Sequence, residues 1–261
     1  MNQPISDWSA LAHDLQKFTL DFFNNSNVPV TDKGYSDEKF LALTLLARTY
    51  SNAKSALILL EAARVIEARV LVRCCLENSY WVAGLAVGGE KFAREMLHDE
   101  MNHKRRRGQR LFDPDIMLPD ETKAKLAAWL KQSAKQFKDA KSLNPMGVAM
   151  GGALARSYIF YELLSSDASH PSIEALNRHV IPHTADETGG VDVDPAPRDA
   201  ELIETFEYLC MATIGVVVGV NQILGGMRGA NKMNALADRF TRLSNQAAAD
   251  GVTLQAHTRV A

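Results

Sequence analysis

Apolar residues recur at helical spacing along nearly the whole chain, and no segment alternates apolar and polar positions as a half-buried strand would. The spacing predicts a first helix over about 7–23, ended by Asn24-Asn25-Ser26-Asn27 and Pro29. Ser36-Asp37-Glu38-Lys39 reads as an N-cap with acidic first-turn residues, opening a helix to about Tyr50. A longer run is predicted over 51–87, where Gly88-Gly89 breaks it. Helices over 90–112, 120–142 and 148–168 follow, closed by Asp113-Pro114, Asn144-Pro145 and His170-Pro171. After a short helical turn, 181–198 is one long irregular loop with Pro182, Gly189-Gly190, Pro195 and Pro197. The most apolar helix spans 200–224, and Gly225-Gly226 separates it from a final amphipathic piece whose end, 250–261, reads as a frayed tail. No repeat of solenoid period is present. The expected architecture is all-α: a multi-helix bundle forming one large domain, with its core at about 36–228.

Composition narrows the class without naming a chemistry. The chain has 261 residues, 46% apolar and 23% charged, with a formal net charge of −2. Collagenous, disordered and disulfide-stapled chains are excluded. Cys74 and Cys75 are adjacent and would point about 100° apart on a helix, so they form neither a disulfide nor a metal pair. A reducing, cytoplasmic setting is the simplest expectation, and the N-terminus has no basic or apolar leader pattern. The stretch Tyr208 to Val220 is apolar but too short to span a bilayer, and Asn221 and Gln222 follow it. We therefore expect no membrane partner. The helix over 200–224 suits a core element or a dimer face, which leaves a homo-oligomer open.

The run over 51–87 carries the first specific signal. Leu57, Leu60, Leu71 and Val82 mark an apolar face, while Arg69, Arg73 and Glu77 recur at intervals of four on the opposite side, continued by Tyr80 and Gly84. Glu61 and Glu67 add charge to a segment otherwise built of Leu, Val, Ile and Ala. Charges in an apolar helix need partners, because desolvation removes several kcal/mol of hydration per ion. Two readings follow. One is an intramolecular ion-pair lattice that fixes helix packing. The other is a polar pocket between helices, where the fork of Arg73 holds a carboxylate or phosphate and Glu77 orients it.

The second signal is Tyr158 to Ser172. Met150, Leu154, Tyr158, Tyr161 and Ser165 fall on one helical face that passes from apolar to hydroxyl-bearing. Pro171 disfavours the α conformation at His170, which therefore sits at a helix end or elbow. An imidazole there could serve as a general base, making His170 the best catalytic candidate. No Gly-x-Ser-x-Gly elbow surrounds any serine, and neither Ser169 nor Ser165 is spaced to form a dyad with His170. The plainer reading is a Ser-His-Pro-Ser turn that caps two helix ends.

Together these segments carry a resemblance. Ala-Arg-Val-Leu-Val-Arg-Cys-Cys-Leu-Glu-Asn (68–78), with the later Tyr-Glu-Leu-Leu-Ser-Ser-Asp-Ala-Ser-His-Pro-Ser (161–172), resembles the bacterial domain-of-unknown-function family 5677. Arg73, Glu77, Tyr161, Ser165 and His170 match its Arg-x-x-x-Glu and Tyr-x-x-x-Ser…His motifs over about 51–180. The resemblance implies an all-helical bundle in which the two motifs meet in space, and it implies no activity.

Other constellations are weaker. Glu95-x-x-His98 and Asp167-x-x-His170 have the spacing of carboxylate-bridged metal ligands. Glu95 and His98 lie opposite the apolar side set by Ala93, Met96, Leu97, Met101 and Leu111, so we expect no metal centre and no cofactor. His103 to Arg110, with Lys91 and Arg94, makes one helix basic. Solvation is the commoner meaning of such a run, and nucleic-acid binding the less expected one. The acidic loop, with Asp186, Glu187, Asp192, Asp194 and Asp199, lacks the ligand density of a calcium site. The leading expectation is a polar site of Arg73, Glu77, Tyr161, Ser165 and His170 for a small anionic ligand or a partner segment. The alternatives are a metal-independent ribonuclease or defence-type toxin with His170 as acid/base, and a non-catalytic interaction scaffold.

Overall fold

Ile5, Trp8, Leu11, Leu15, Phe18 and Phe22 line one face of the first helix, α1 (Gln3–Asn24), and all are buried. The computed structural model describes residues 3–138, 142–168, 170–184, 188–226 and 229–251. Asp37 caps α2 (Glu38–Glu61), its carboxylate accepting from the Lys39 and Phe40 amides. Then come α3 (Val65–Arg110), α4 (Asp120–Gln136), α5 (Pro145–Met150), α6 (Tyr158–Ala168), α7 (Ile173–Asn177), α8 (Asp199–Ile223) and α9 (Ala230–Ala249). The all-α expectation holds, with a small antiparallel hairpin of β1 (Val180–Ile181) and β2 (Gly190–Val191) as the strand content among the described residues.

The interior is built on α3 and α8. α8 packs against α1, α2 and α3 and buries Phe206, Leu209, Val216, Val217 and Val220. Its Gly215 and Gly219 allow a close crossing with α3: a methyl at Gly219 would sit 2.5 Å from Val82 Cγ1. One buried apolar cluster runs from Ile5 to Ala247 and so includes segments outside 36–228. By length and composition α3 and α8 could each cross a membrane, but most of the apolar window of α8 is covered by the rest of the chain.

Three predicted boundaries move. No break occurs at Tyr50–Ser51; α2 continues to Glu61, and the turn comes at Ala62-Ala63-Arg64. There the Arg64 amide donates to the Leu59 carbonyl with Ala63 left-handed at φ 57°, a helix ending usually made with glycine. Asn144-Pro145 starts a helix instead of stopping one: Asn144 accepts from the Gly147 amide, and Pro145 takes the first helical position, where a missing N–H costs nothing. The predicted helix over 148–168 is divided around Gly151-Gly152, so Met150 and Leu154 do not continue the α6 face.

The Gly88-Gly89 break appears as a kink, Gly89 standing at φ 50°, ψ −134° within α3. Beyond it, Phe92 folds back until its ring lies 2.3 Å from where a Gly84 methyl would be. The described part of the 181–198 loop is irregular apart from the hairpin, while Ser169, Asp186, Glu187 and 252–261 lie outside the described residues.

Candidate functional site

The stripe on α3 meets two chemically different surroundings one turn apart. Arg69 is buried, and its partners come from distant segments. Its Nε donates to Thr205 Oγ1 at 3.0 Å, Nη2 to Glu204 Oε2 at 2.7 Å and Nη1 to Asp167 Oδ2. Arg178 Nη2 donates to Asp167 Oδ1 at 2.8 Å and to Glu201 Oε1 at 3.2 Å, and Tyr208 Oη donates to Glu204 Oε1 at 2.9 Å. This is the ion-pair lattice anticipated for the stripe, tying α3 to α8 and to the end of α6.

Arg73 has no carboxylate within ion-pair distance among the described residues. Half-buried, it donates from Nε to Ser165 Oγ at 2.7 Å and from Nη2 to Tyr161 Oη at 2.7 Å, with its guanidinium 4.7 Å over the Tyr161 ring. Tyr161 then donates to Glu77 Oε2 at 3.4 Å. A guanidinium carries five N–H donors, so three remain, on Nη1 and the outer side of Nη2. Burial, reinforced by Glu77 and opposed by Arg73, holds the Tyr161 phenol above its ordinary pKa, which keeps the proton it gives to Glu77. Tyr158 stacks on Tyr161 with ring centroids 5.5 Å apart, and burial raises its pKa too. Behind both rings, the buried Tyr80 donates to the Ser157 carbonyl at 3.1 Å.

Four of the five motif residues are thus joined by hydrogen bonds, and His170 is not. It is exposed, two positions past the end of α6, and its ring makes no hydrogen bond among the described residues. The segment around it serves the capping role: Ser172 Oγ donates to the Ser166 carbonyl at 2.9 Å and accepts from the Ala175 amide at 3.0 Å, starting α7.

The remaining charged features are spent locally in part. Glu61 pairs with His13 at 2.6 Å, and Glu67 is exposed, so neither joins the stripe. On the basic part of α3, Lys104 and Arg107 share Glu100, His103 approaches Asp99, and Lys91 approaches Glu95. His98 packs edge-on against Phe137. Asp194 pairs with Arg64 and donates its amide to Asp192. No group of three His, Cys, Asp or Glu side chains placed to hold a metal occurs among the described residues. A recess of about 200 Å³ lies elsewhere, between α1, α8 and α9, with Trp8, Ile203 and Leu243 in its walls. Its lining has no basic residue, whereas the Arg73 cluster keeps the remaining N–H donors of a half-buried guanidinium.

Sequence spacing could not find the partners of Arg69, since Asp167, Glu204 and Thr205 lie 98, 135 and 136 positions away. Tyr158 could be placed on the right face, because it precedes Tyr161 by three. The lattice also has a pH consequence. Burial alone would raise the Glu201 pKa, but hydrogen bonds from Arg198 and the charges of Arg178 and Arg198 outweigh it and leave the pKa below the ordinary 4.5. A depressed carboxylate pKa means that the unfolded chain takes up its proton first, so stability is lost as pH falls below about 4.5 and keeps falling until the folded group protonates. Thermal melts between pH 6 and pH 3 should show this decline, and Glu201→Gln should make the curve shallower. An unchanged slope in the variant would contradict the assignment.

The fold and the polar seam define an all-helical protein with paired and unpaired arginines on one central helix. The chain belongs to the family of unknown function DUF5677, which it matches over residues 39–188. No curated protein and no solved structure is detectably similar to it.

Proposed function

We propose that the Arg73 cluster binds an anionic group, a carboxylate or phosphate, carried by a small ligand or by a segment of a partner. The observation that carries this is the contrast along the stripe: Arg69 is neutralised by Asp167 and Glu204, while Arg73 is fixed by two neutral hydroxyls and a ring. Hydroxyls hold a guanidinium in place without cancelling its charge. The free Nη1 end of the fork suits bidentate contact with a planar anion. Ser165 and Tyr161 position the fork, and Glu77 holds the Tyr161 hydroxyl. Arg73 is only half-buried, so a small anion would keep part of its hydration and bind in roughly the millimolar range.

Acetate and inorganic phosphate are suitable probes, with chloride at matched ionic strength as the control. At about 50 mM, a probe with a Kd of about 1 mM stabilises the folded state by about 2 kcal/mol, a rise in Tm of about 5 °C for a chain of this size. Arg73→Met is expected to abolish the rise, and Arg106→Met, on the exposed basic helix, to retain it. Equal shifts in wild type and Arg73→Met would overturn the proposal.

A further inference from the structure

We propose that the same site selects a zwitterion, an α-amino acid or a ligand with that head group, with Glu77 taking the ammonium and Arg73 the carboxylate. This rests on the anion-binding reading and extends it through the state of Glu77. Like Arg73, Glu77 is half-buried and has no ion-pair partner among the described residues. Among the described residues its side chain accepts one hydrogen bond, the long one from Tyr161. Two opposite charges, neither in an ion pair, are therefore each held by the hydroxyl between them. Bonds of 2.7 and 3.4 Å through that hydroxyl keep the guanidinium nitrogen and the carboxylate oxygen no more than about 6 Å apart.

Left alone, an Arg and a Glu at i and i+4 would close into an ordinary ion pair. Tyr161 prevents that by occupying the gap from α6, accepting from Arg73 and donating to Glu77. The separation suits a ligand whose ammonium and carboxylate are one carbon apart, each making a charge-assisted bond of about 2.8 Å. A simple anion satisfies only half of the site and leaves Glu77 facing it. A simple amine meets the guanidinium. Tyr158, half-buried and stacked on Tyr161, supplies an aromatic face next to the pair for the remainder of the ligand or for its ammonium.

Leucine and phenylalanine can be titrated into the full chain alongside their N-acetyl derivatives and the matching amines, with binding read from amide shifts in ¹⁵N spectra and from Tm. The free amino acids are expected to bind at least tenfold more tightly than the N-acetyl forms, and the amines not to bind. Glu77→Gln should remove the preference, so that a free amino acid and its N-acetyl form bind with similar affinity. Tyr161→Phe keeps the ring but lets Arg73 and Glu77 close on each other, so it should lose amino-acid binding with Tm little changed. Acetate binding without any preference for free amino acids would overturn the zwitterion assignment and leave the anion site standing. Failure of every probe, acetate and phosphate included, would remove both. A preference that survives Glu77→Gln would place the ammonium elsewhere and refute the assignment.

Discussion

Replacing Arg69 by methionine is expected to cost about 3–5 kcal/mol of stability, because it strips one partner from a buried charge network. At about 2–4 °C per kcal/mol for a chain of this length, the melting temperature should fall by about 6–20 °C. Glu204 would keep Tyr208 and Asp167 would keep Arg178, yet each would lose the guanidinium that it faces at short range. The same change at Arg73 exposes no buried carboxylate to this penalty, so Arg73→Met should cost about 1 kcal/mol or less, the scale of ordinary polar contacts. Paired thermal melts measure the difference directly. Similar losses in the two variants would mean that Arg73 belongs to the lattice, and its proposed role in binding would lose its basis.

A fragment limited to residues 39–188, the span that defines the family match, is expected not to fold cooperatively. It lacks α8, whose Thr205 and Glu204 hold Arg69, whose Tyr208 stacks on Phe160 at 4.6 Å and whose Gly219 receives Val82. It also lacks α1, which packs on α2 and α8. The apolar faces of α2 and α3 would then be left to water, a loss of about 25 cal/mol for each Å² uncovered. Circular dichroism of the fragment should show residual helix with a broad, shallow melt, against a sigmoidal melt for the full chain. A sharp transition in the fragment would show that α1 and α8 are accessories to the core.

The two outcomes bear on what the sequence could disclose. Helical class was legible, and so were several boundaries: Asp37 and Gly225-Gly226 mark helix ends and Gly88-Gly89 a kink, each by its chemistry. The α2–α3 turn was hidden because Ala63 adopts a left-handed conformation that glycine usually marks. Asn144-Pro145 was misread because the same pair can end one helix or begin another, and only the chain beyond it decides. The approach of Arg73 to Tyr161 and Ser165 was legible through motif resemblance. The different fates of Arg69 and Arg73 were not, since identical residues at identical spacing are distinguished only by what α6 and α8 bring against them. His170 was singled out by the proline that follows it, a signal that locates an elbow but does not say where the ring points.

The tyrosine hydroxyl wedged between Arg73 and Glu77 also has a kinetic meaning. An internal ion pair would have to be broken before a ligand could enter, and that rupture would add to the barrier for association. Here the charges are already parted, and the folded chain carries the electrostatic cost of their separation before any ligand arrives. Exchange at the proposed site would then be limited by diffusion and by stripping water from the two charges. A zwitterion has no net charge, so its capture would depend little on ionic strength, whereas capture of a bare anion would weaken as salt is added.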